Sequence, residues 1–331
     1  MKKKIIIDSD PGFDDVVAIF MAYTHPDIEL LGITTIFGNS TTHHTTNNAL
    51  YLEDTFSLNC DVVKGAEQPL QKPAPPIFYE LNGNQGLGNV ELSDVTGNGL
   101  HESSADQYMI DMIKAYPNEI TIVAIGPLTN LALALKKAPE IAGLVKEVVV
   151  MGGAFGINDH FGNITPFAEA NIYHDPHAAD IVFSTDWPVT ILGLDVTEES
   201  LFSLEFFENL KVTGGVYGEL IYNISHRYVG LYSDILKMNG CYVHDASAIA
   251  YLLDDSLFEK RTGPVKVITE GAAEGLTLQK FVKRPYANDQ WATLPEQNVC
   301  ISVKKNLVTE LAKSSIESYS SLVNRKAKLA N

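Results

Sequence analysis

The sequence predicts an α/β fold, doubly wound around a mostly parallel central sheet with helices on both faces. Three observations predict it. Short apolar, β-branched runs alternate with segments of helical pattern along most of the chain. The strand-like runs are continuously apolar, as burial on both faces of a sheet requires. A length of 331 residues, 45% hydrophobic and 20% charged, allows a sizeable core.

Each element follows from that rhythm. Ile5–Asp8 reads as the first strand, and a helix is expected from about Asp14 to Tyr23. Ile28–Phe37 reads as the second strand, a polar helix contains NNALYLEDTF, and Asp61–Gly65 reads as the third strand. A Pro-, Gly- and Asn-rich stretch then runs from about Glu67 to Glu102. A loop of that size in a compact domain is usually functional or mobile. The pattern resumes with a helix near Ala105–Ala115, the strand ITIVAIG, the helix LTNLALALKKA, and the strands VKEVVVMGG and VTILGL. From about Glu198 to Leu236 helical patterns rich in aromatic residues dominate. Strand-like runs return at Val265–Thr269 and Val299–Val303, before a final helix. With no internal repeat or low-complexity tract, one domain over residues 1–331 is expected, with a helical insertion at roughly 198–240.

Charge and cysteine usage narrow the function. Lys plus Arg number 24 and Asp plus Glu 41, a formal net charge of −17. That balance argues against nucleic acid or an anionic membrane surface as partner, and favours a small substrate or a metal cation. Cys60, Cys241 and Cys300 are sparse and odd in number, which fits reduced thiols and a cytoplasmic location. The opening MKKKIIIDSD is basic, but its apolar run, Ile5–Ile7, is too short for a signal peptide. No stretch reaches the roughly 18 uninterrupted apolar residues of a membrane span.

Ligands of doubly wound sheets bind beyond the carboxyl ends of the strands. The unusual residues fall there: DSDPGFDD after the first strand, Gly38-Asn39 after the second, then Gly126-Pro127, Gly152-Gly153 and Asp195. Asp8, Asp10, Asp14 and Asp15 crowd one turn. In an extended segment Asp8 and Asp10 point the same way. A helix N-terminus favours acidic residues, which accounts for one or two of the four. Like charges repel unless a positive group sits among them, and Ca²⁺ or Mg²⁺ takes such oxygen ligands. The spacing is not that of an EF-hand.

Other segments add candidates. His244-Asp245 opens an apolar helix, and Asn163, Glu169 and Asn171 cluster in GNITPFAEANIYHDP, a composition suited to a polyol. A helix cap and a polar surface loop are the ordinary explanations of each taken alone. Cys241 near His244 lacks a third orienting partner, so packing is its expected role. Asp-x-Asp after a first strand resembles the Mg²⁺-dependent haloacid-dehalogenase-like phosphatases, with Asp8 as phosphoryl acceptor. Gly12, however, stands where that family has Thr or Val.

Together the segments resemble the inosine-uridine-preferring nucleoside hydrolases, from Lys4 through the helix around Leu307–Val323. The signature Asp-x-Asp-Pro-Gly-x-Asp-Asp is complete at Asp8–Asp15, and ITTIFGN, GPLTNLA, MGG, EANIYHDP and VHD recur in family order. The resemblance implies hydrolysis of the N-glycosidic bond of ribonucleosides to free base and ribose. It implies a bound Ca²⁺, with Asp10, Asp15 and Asp245 as side-chain ligands and the Ile125 carbonyl completing the set. It also implies Asp10 as general base towards a calcium-bound water. Asp14, Asn39, Asn163, Glu169, Asn171 and Asp245 are implied for the ribose hydroxyls. His244 is implied as a catalytic residue beside the leaving base, with Tyr228 and Tyr232 lining the base pocket. His244 points to an inosine-uridine or pyrimidine preference, and the family implies a homotetramer or dimer.

Two positions depart from the family pattern. Asn82, in NGNQGLG, stands where relatives often carry histidine, so it is the expected substrate contact of the long loop. Ala170 stands between Glu169 and Asn171 where an aromatic is often found. Both bear on substrate preference rather than reaction type. A third reading is a relative that binds calcium or nucleoside without catalysis. The presence of both Asp10 and His244 argues against it.

Overall fold

The structure, a computed structural model, describes residues 2–74, 76–88, 90 and 99–330, with side chains as far as residue 319. The chain runs β1 (Lys3–Ser9), α1 (Phe13–Thr24), β2 (Ile28–Thr35), α2 (Thr42–Phe56), β3 (Asp61–Lys64), α3 (Tyr79–Asn82) and α4 (Ala105–Ala115). It continues through β4 (Ile120–Ala124), α5 (Thr129–Lys137), β5 (Glu147–Met151), α6 (Ala170–His174), α7 (Pro176–Ser184), β6 (Val189–Leu192) and α8 (Leu194–Thr197). Then follow β7 (Leu201–Ser203), α9 (Leu204–Thr213), α10 (Gly215–Leu236), β8 (Gly240–Tyr242) and α11 (Ala246–Leu253). The remaining elements are β9 (Phe258–Gly263), β10 (Val265–Val267), β11 (Thr277–Gln279), β12 (Gln297–Val303) and α12 (Lys305–Ala330).

Eight strands form one sheet in the order β3-β2-β1-β4-β5-β6-β12-β9. All neighbours pair in parallel except β12 with β9. The expected doubly wound architecture is present. Strand β1 shows why its run is continuously apolar. Ile5 and Ile7 enter the core beneath α1 and α11, whereas Ile6 enters the opposite core with α4, α5 and α7. A strand covered on both faces has no polar side to show. The order turns back between β1 and β4, and the crevice at such a reversal lies outside the carboxyl ends of those strands.

The structure adds detail in three places. β9, FEKRTG, pairs antiparallel at the sheet edge, and only its end residues are buried, so no apolar run announces it. Of Val265–Thr269, only Val265–Val267 is strand, paired with β11 in a separate two-stranded sheet rather than in the central one. The segment 198–240 is not wholly helical. β7 and β8 pair as a short antiparallel ribbon, Leu201 opposite Tyr242, and α9 and α10 rise between them. Within the Glu67–Glu102 loop, α3 is the one helix among the described residues, and residues 75, 89 and 91–98 lie outside them. Among the described residues no helix is long and apolar enough to cross a membrane.

Candidate active site

The turn between β1 and α1 lies at the sheet's reversal. Asp15 does ordinary work there. Its carboxylate accepts from Gly12 N at 2.9 Å, as a capping residue of α1, from Ser9 Oγ at 2.6 Å and from Asn39 Nδ2 at 3.0 Å. Asp245 opens α11 but caps nothing with its side chain, so helix capping does not explain it. Carboxylate oxygens of Asp14, Asp15 and Asp245 lie within 4.8 Å of one another, all buried. Asp10 stands beside them, 2% exposed. Its Oδ2 accepts from Asn39 N at 2.6 Å, while its Oδ1 is buried without a hydrogen-bond partner. Gly38, at φ +153°, is what lets the chain after β2 pass so close. A Cβ there would lie 2.1 Å from Asp10 Oδ2.

Burial dominates the electrostatics. It pushes Asp10 and Asp245 well above the usual carboxylate range, and neighbouring carboxylates push further: Asp15 and Asp14 on Asp10, then Asp14, Asp15, Asp10 and Glu169 on Asp245. Asp14 is pushed up to about 8 by burial and then by Asp15. Burial raises Asp15 also, against the hydrogen bonds that favour its charge. Each of these groups is thus harder to ionise than a free carboxylate, a cost that a cation among them would offset.

Asp8 is not part of this set. It is fully buried below the turn, and its Oδ1 accepts from Thr34 Oγ1 at 2.6 Å and Asn130 Nδ2 at 2.8 Å. Thr34 comes from β2 and Asn130 from the first turn of α5, which follows β4. Asp8 braces β1 to β2 and α5 through its Oδ1, its Oδ2 being buried without a partner, and it and Asp10 are held by different partners.

The strap from Gly152 to α6 carries the polyol candidates to different places. Glu169 is 2% exposed. It caps α6, accepting from Asn171 N at 2.8 Å, Gly153 N at 3.0 Å and Ile172 N at 3.1 Å. Burial raises it against those amide bonds. Asn171 Nδ2 donates to the Ile125 carbonyl at 2.9 Å, which brings both to the rim of β4. Asn163 is exposed and its Oδ1 accepts from Ala170 N at 3.0 Å, so the structure does not bring it into the buried set.

The facing wall is aromatic. Tyr228 and Tyr232 on α10 stack, centroids 5.4 Å apart and 21° between planes, and Tyr228 also meets Phe13 at 5.0 Å. His244 is buried with Nδ1 hydrogen-bonded to Thr197 Oγ1 at 2.8 Å and Nε2 3.4 Å from Tyr232 Oη. Burial pushes its imidazole down to about 4, so it is neutral at pH 7. Asn82 is buried at the end of α3. Cys241 is fully buried and its thiol is pushed well above the usual range, as a packing residue's would be. Sequence reading missed Thr197, which holds His244, and Phe13, which backs Tyr228. Neither type nor spacing marks them, because both contacts are made across long chain separations.

The inosine-uridine preferring nucleoside hydrolase family pattern matches residues 5–310. The chain belongs to that family. It is 36% identical over 316 residues to uridine nucleosidase 1 of Arabidopsis thaliana, covering 95% of this chain and 93% of the relative. It is 37% identical over 284 residues to the inosine-uridine preferring nucleoside hydrolase of Crithidia fasciculata, covering 85% and 89%. Among solved structures, a purine-preferring ribonucleoside hydrolase from Gardnerella vaginalis aligns with a TM-score of 0.88 at 32% identity, over 97% of this chain and all of that one. This nucleoside hydrolase is therefore an enzyme, and the phosphatase reading of Asp8 is set aside.

Proposed function

We propose that this hydrolase cleaves the N-glycosidic bond of ribonucleosides to free base and ribose, with calcium at the acidic turn and uridine and inosine among its substrates. One observation carries the reading. A buried carboxylate cluster with an unpartnered Asp10 oxygen faces a neutral aromatic wall holding His244.

The donors fit a hard divalent cation: carboxylate oxygens, one of them unpartnered, in a site where burial penalises every uncompensated charge. Asp10, Asp15, Asp245 and the Ile125 carbonyl are the residues that would hold it. When bound, calcium would offset the carboxylate repulsion and polarise and orient water.

The residues around it divide the work. Asp10 takes the proton from the water that attacks the anomeric carbon. The C1′–O bond forms as the C1′–N bond breaks; the base departs as its anion and takes a proton from solvent, and Asp10 returns its proton to solvent. Positive charge grows on the ribose in between, and the surrounding carboxylates stabilise it. Asp14, Asp245, Glu169, Asn39 and Asn171 orient the ribose hydroxyls, with Asn163 closing from the outer strap. His244, neutral in its buried site, offers an N–H to the base as electrons collect there. Tyr228, Tyr232 and Asn82 bound the base. The relatives named for uridine and inosine-uridine support that base class. The family resemblance and the free cysteines support one domain, a cytoplasmic location and a homo-oligomer.

The test is free ribose released from inosine, adenosine, guanosine, uridine and cytidine, before and after chelation and after return of Ca²⁺ or Mg²⁺. Release from uridine and inosine that vanishes on chelation and returns with Ca²⁺ is expected. Release indifferent to chelation would remove the cation. No release from any of the five, with calcium measurably bound, would remove the reaction as proposed.

A further inference from the structure

The loop that carries Asn82 is closed and fastened on two sides. Gly88 N donates to the Asn82 carbonyl at 3.0 Å, and Leu87 is 1% exposed in the main core. On the α10 side, Arg227 Nε donates to the Glu80 carbonyl at 2.8 Å and Nη2 to the Tyr79 carbonyl at 2.6 Å. That fastens α3 to the helix bearing Tyr228 and Tyr232. On the α2 side stands Asn48. Its Nδ2 donates to the Pro11 carbonyl at 2.8 Å and to the Gln85 carbonyl at 2.7 Å. Pro11 belongs to the acidic turn and Gln85 to the Asn82 loop, so one amide group joins them. Gly86, at φ +95°, permits the contact. A Cβ there would lie 3.1 Å from Asn48 Nδ2 and 3.4 Å from the Pro11 carbonyl.

Asn48 is 1% exposed, and its Oδ1 has no partner. Turning the amide over would aim that oxygen at two carbonyls, so the donors' direction is fixed by its surroundings. A buried acceptor without a partner weakens a fold, and an apolar side chain of similar volume would avoid it. What a leucine cannot supply is the pair of N–H donors.

We propose that Asn48 is a positioning residue of this hydrolase: it sets the loop carrying Asn82 against the acidic turn, so that the base and ribose are gripped in register. It touches no substrate and acts through the carbonyls of Gln85 and Pro11. The proposal rests on the functional reading above.

The test uses Asn48→Leu and, from the loop side, Gly86→Ala. Four measurements are made: amide hydrogen exchange of residues 79–88 in the ligand-free chain, kcat and KM for the best nucleoside, calcium affinity, and Tm. In both variants, exchange of that segment should speed up and KM should rise about tenfold, while kcat falls less than about threefold. Calcium affinity should stay within about twofold, because no expected ligand is altered. Unchanged exchange in both variants would overturn the tether. Faster exchange with KM unchanged would overturn its link to substrate. A fall in kcat and Tm with no KM change would assign Asn48 a structural role only. A wild-type chain that releases no ribose would defeat the functional reading, while the exchange comparison would still decide the tether.

Discussion

The two walls of the candidate active site come from different parts of the molecule. The acidic wall is made where parallel strands end. Asp10, Asp14 and Asp15 follow β1, Asn39 follows β2, and the Ile125 carbonyl follows β4. The base-side wall is made outside the sheet, from α3, α8, α10 and the β8–α11 junction. One wall concentrates buried negative charge. The other holds a neutral imidazole and tyrosines whose hydroxyls burial keeps protonated. His244 and Asp245 are consecutive and belong one to each wall. Under the proposed function the division teaches that water activation rests on one wall, while contact with the departing base rests on the other. Relatives named for uridine, for inosine-uridine and for purine preference all align over most of this chain. Among those relatives, chains of one fold therefore carry names for different base preferences.

The sharpest way to break this division is Asp10→Asn. The amide oxygen can still accept from Asn39 N, so the turn is expected to keep its shape. Loss of the base should lower kcat by about 10³-fold or more on every nucleoside alike. Ribose release measures it. A near-normal rate would move the base away from Asp10. A loss confined to one base class would join the walls that the structure separates.

What was legible in the sequence follows the same division. The acidic turn is local: Asp10, Asp14 and Asp15 lie within one short segment and their crowding marks it, although Asp245, which joins the buried cluster, comes from far along the chain. The strands β1, β4 and β5 announce themselves because burial on two faces favours apolar runs, interrupted only at Thr121 and at strand ends. β9 does not, because an edge strand can stay half exposed, and β7, β8 and β11 are three residues each, too short to show a period. The supports of the base wall are long-range. Thr197 meets His244 across 47 residues and Asn48 meets Pro11 across 37, and neither residue type is unusual for a helix. Asn163 and Glu169 share one polar stretch, yet the strap folds Glu169 inward and leaves Asn163 outside. Composition alone could not separate them.

A smaller effect probes the base wall. His244→Ala should cost about 10²-fold in kcat on inosine or uridine, whose bases leave poorly without help. On p-nitrophenyl riboside, with a leaving group that needs no proton, the loss should be much less. Equal losses on both would take His244 out of leaving-group chemistry and make it a packing residue held by Thr197.

The smallest effect is thermodynamic and returns to the acidic wall. In the cation-free chain, Asp14 has its carboxyl raised from 3.8 to about 8. The folded state therefore keeps a proton that the unfolded state has lost. Stability from this group is fully present below pH 3.8 and is lost as the pH rises towards 8. Asp10, Asp15 and Asp245 are raised in the same direction. Calcium requires the ionised carboxylates, so it competes with those protons. The gain in unfolding free energy from saturating calcium should be larger at pH 8 than at pH 6, by about 1.4 kcal/mol per pH unit for each proton displaced, and the gain in Tm should be larger with it. Scanning calorimetry of chelated and calcium-loaded protein across that range measures it. A chelated protein that grows more stable from pH 6 to pH 8, with a calcium gain independent of pH, would mean that the cluster holds its charge unaided. The base wall would then be the only part of the site whose protonation burial controls.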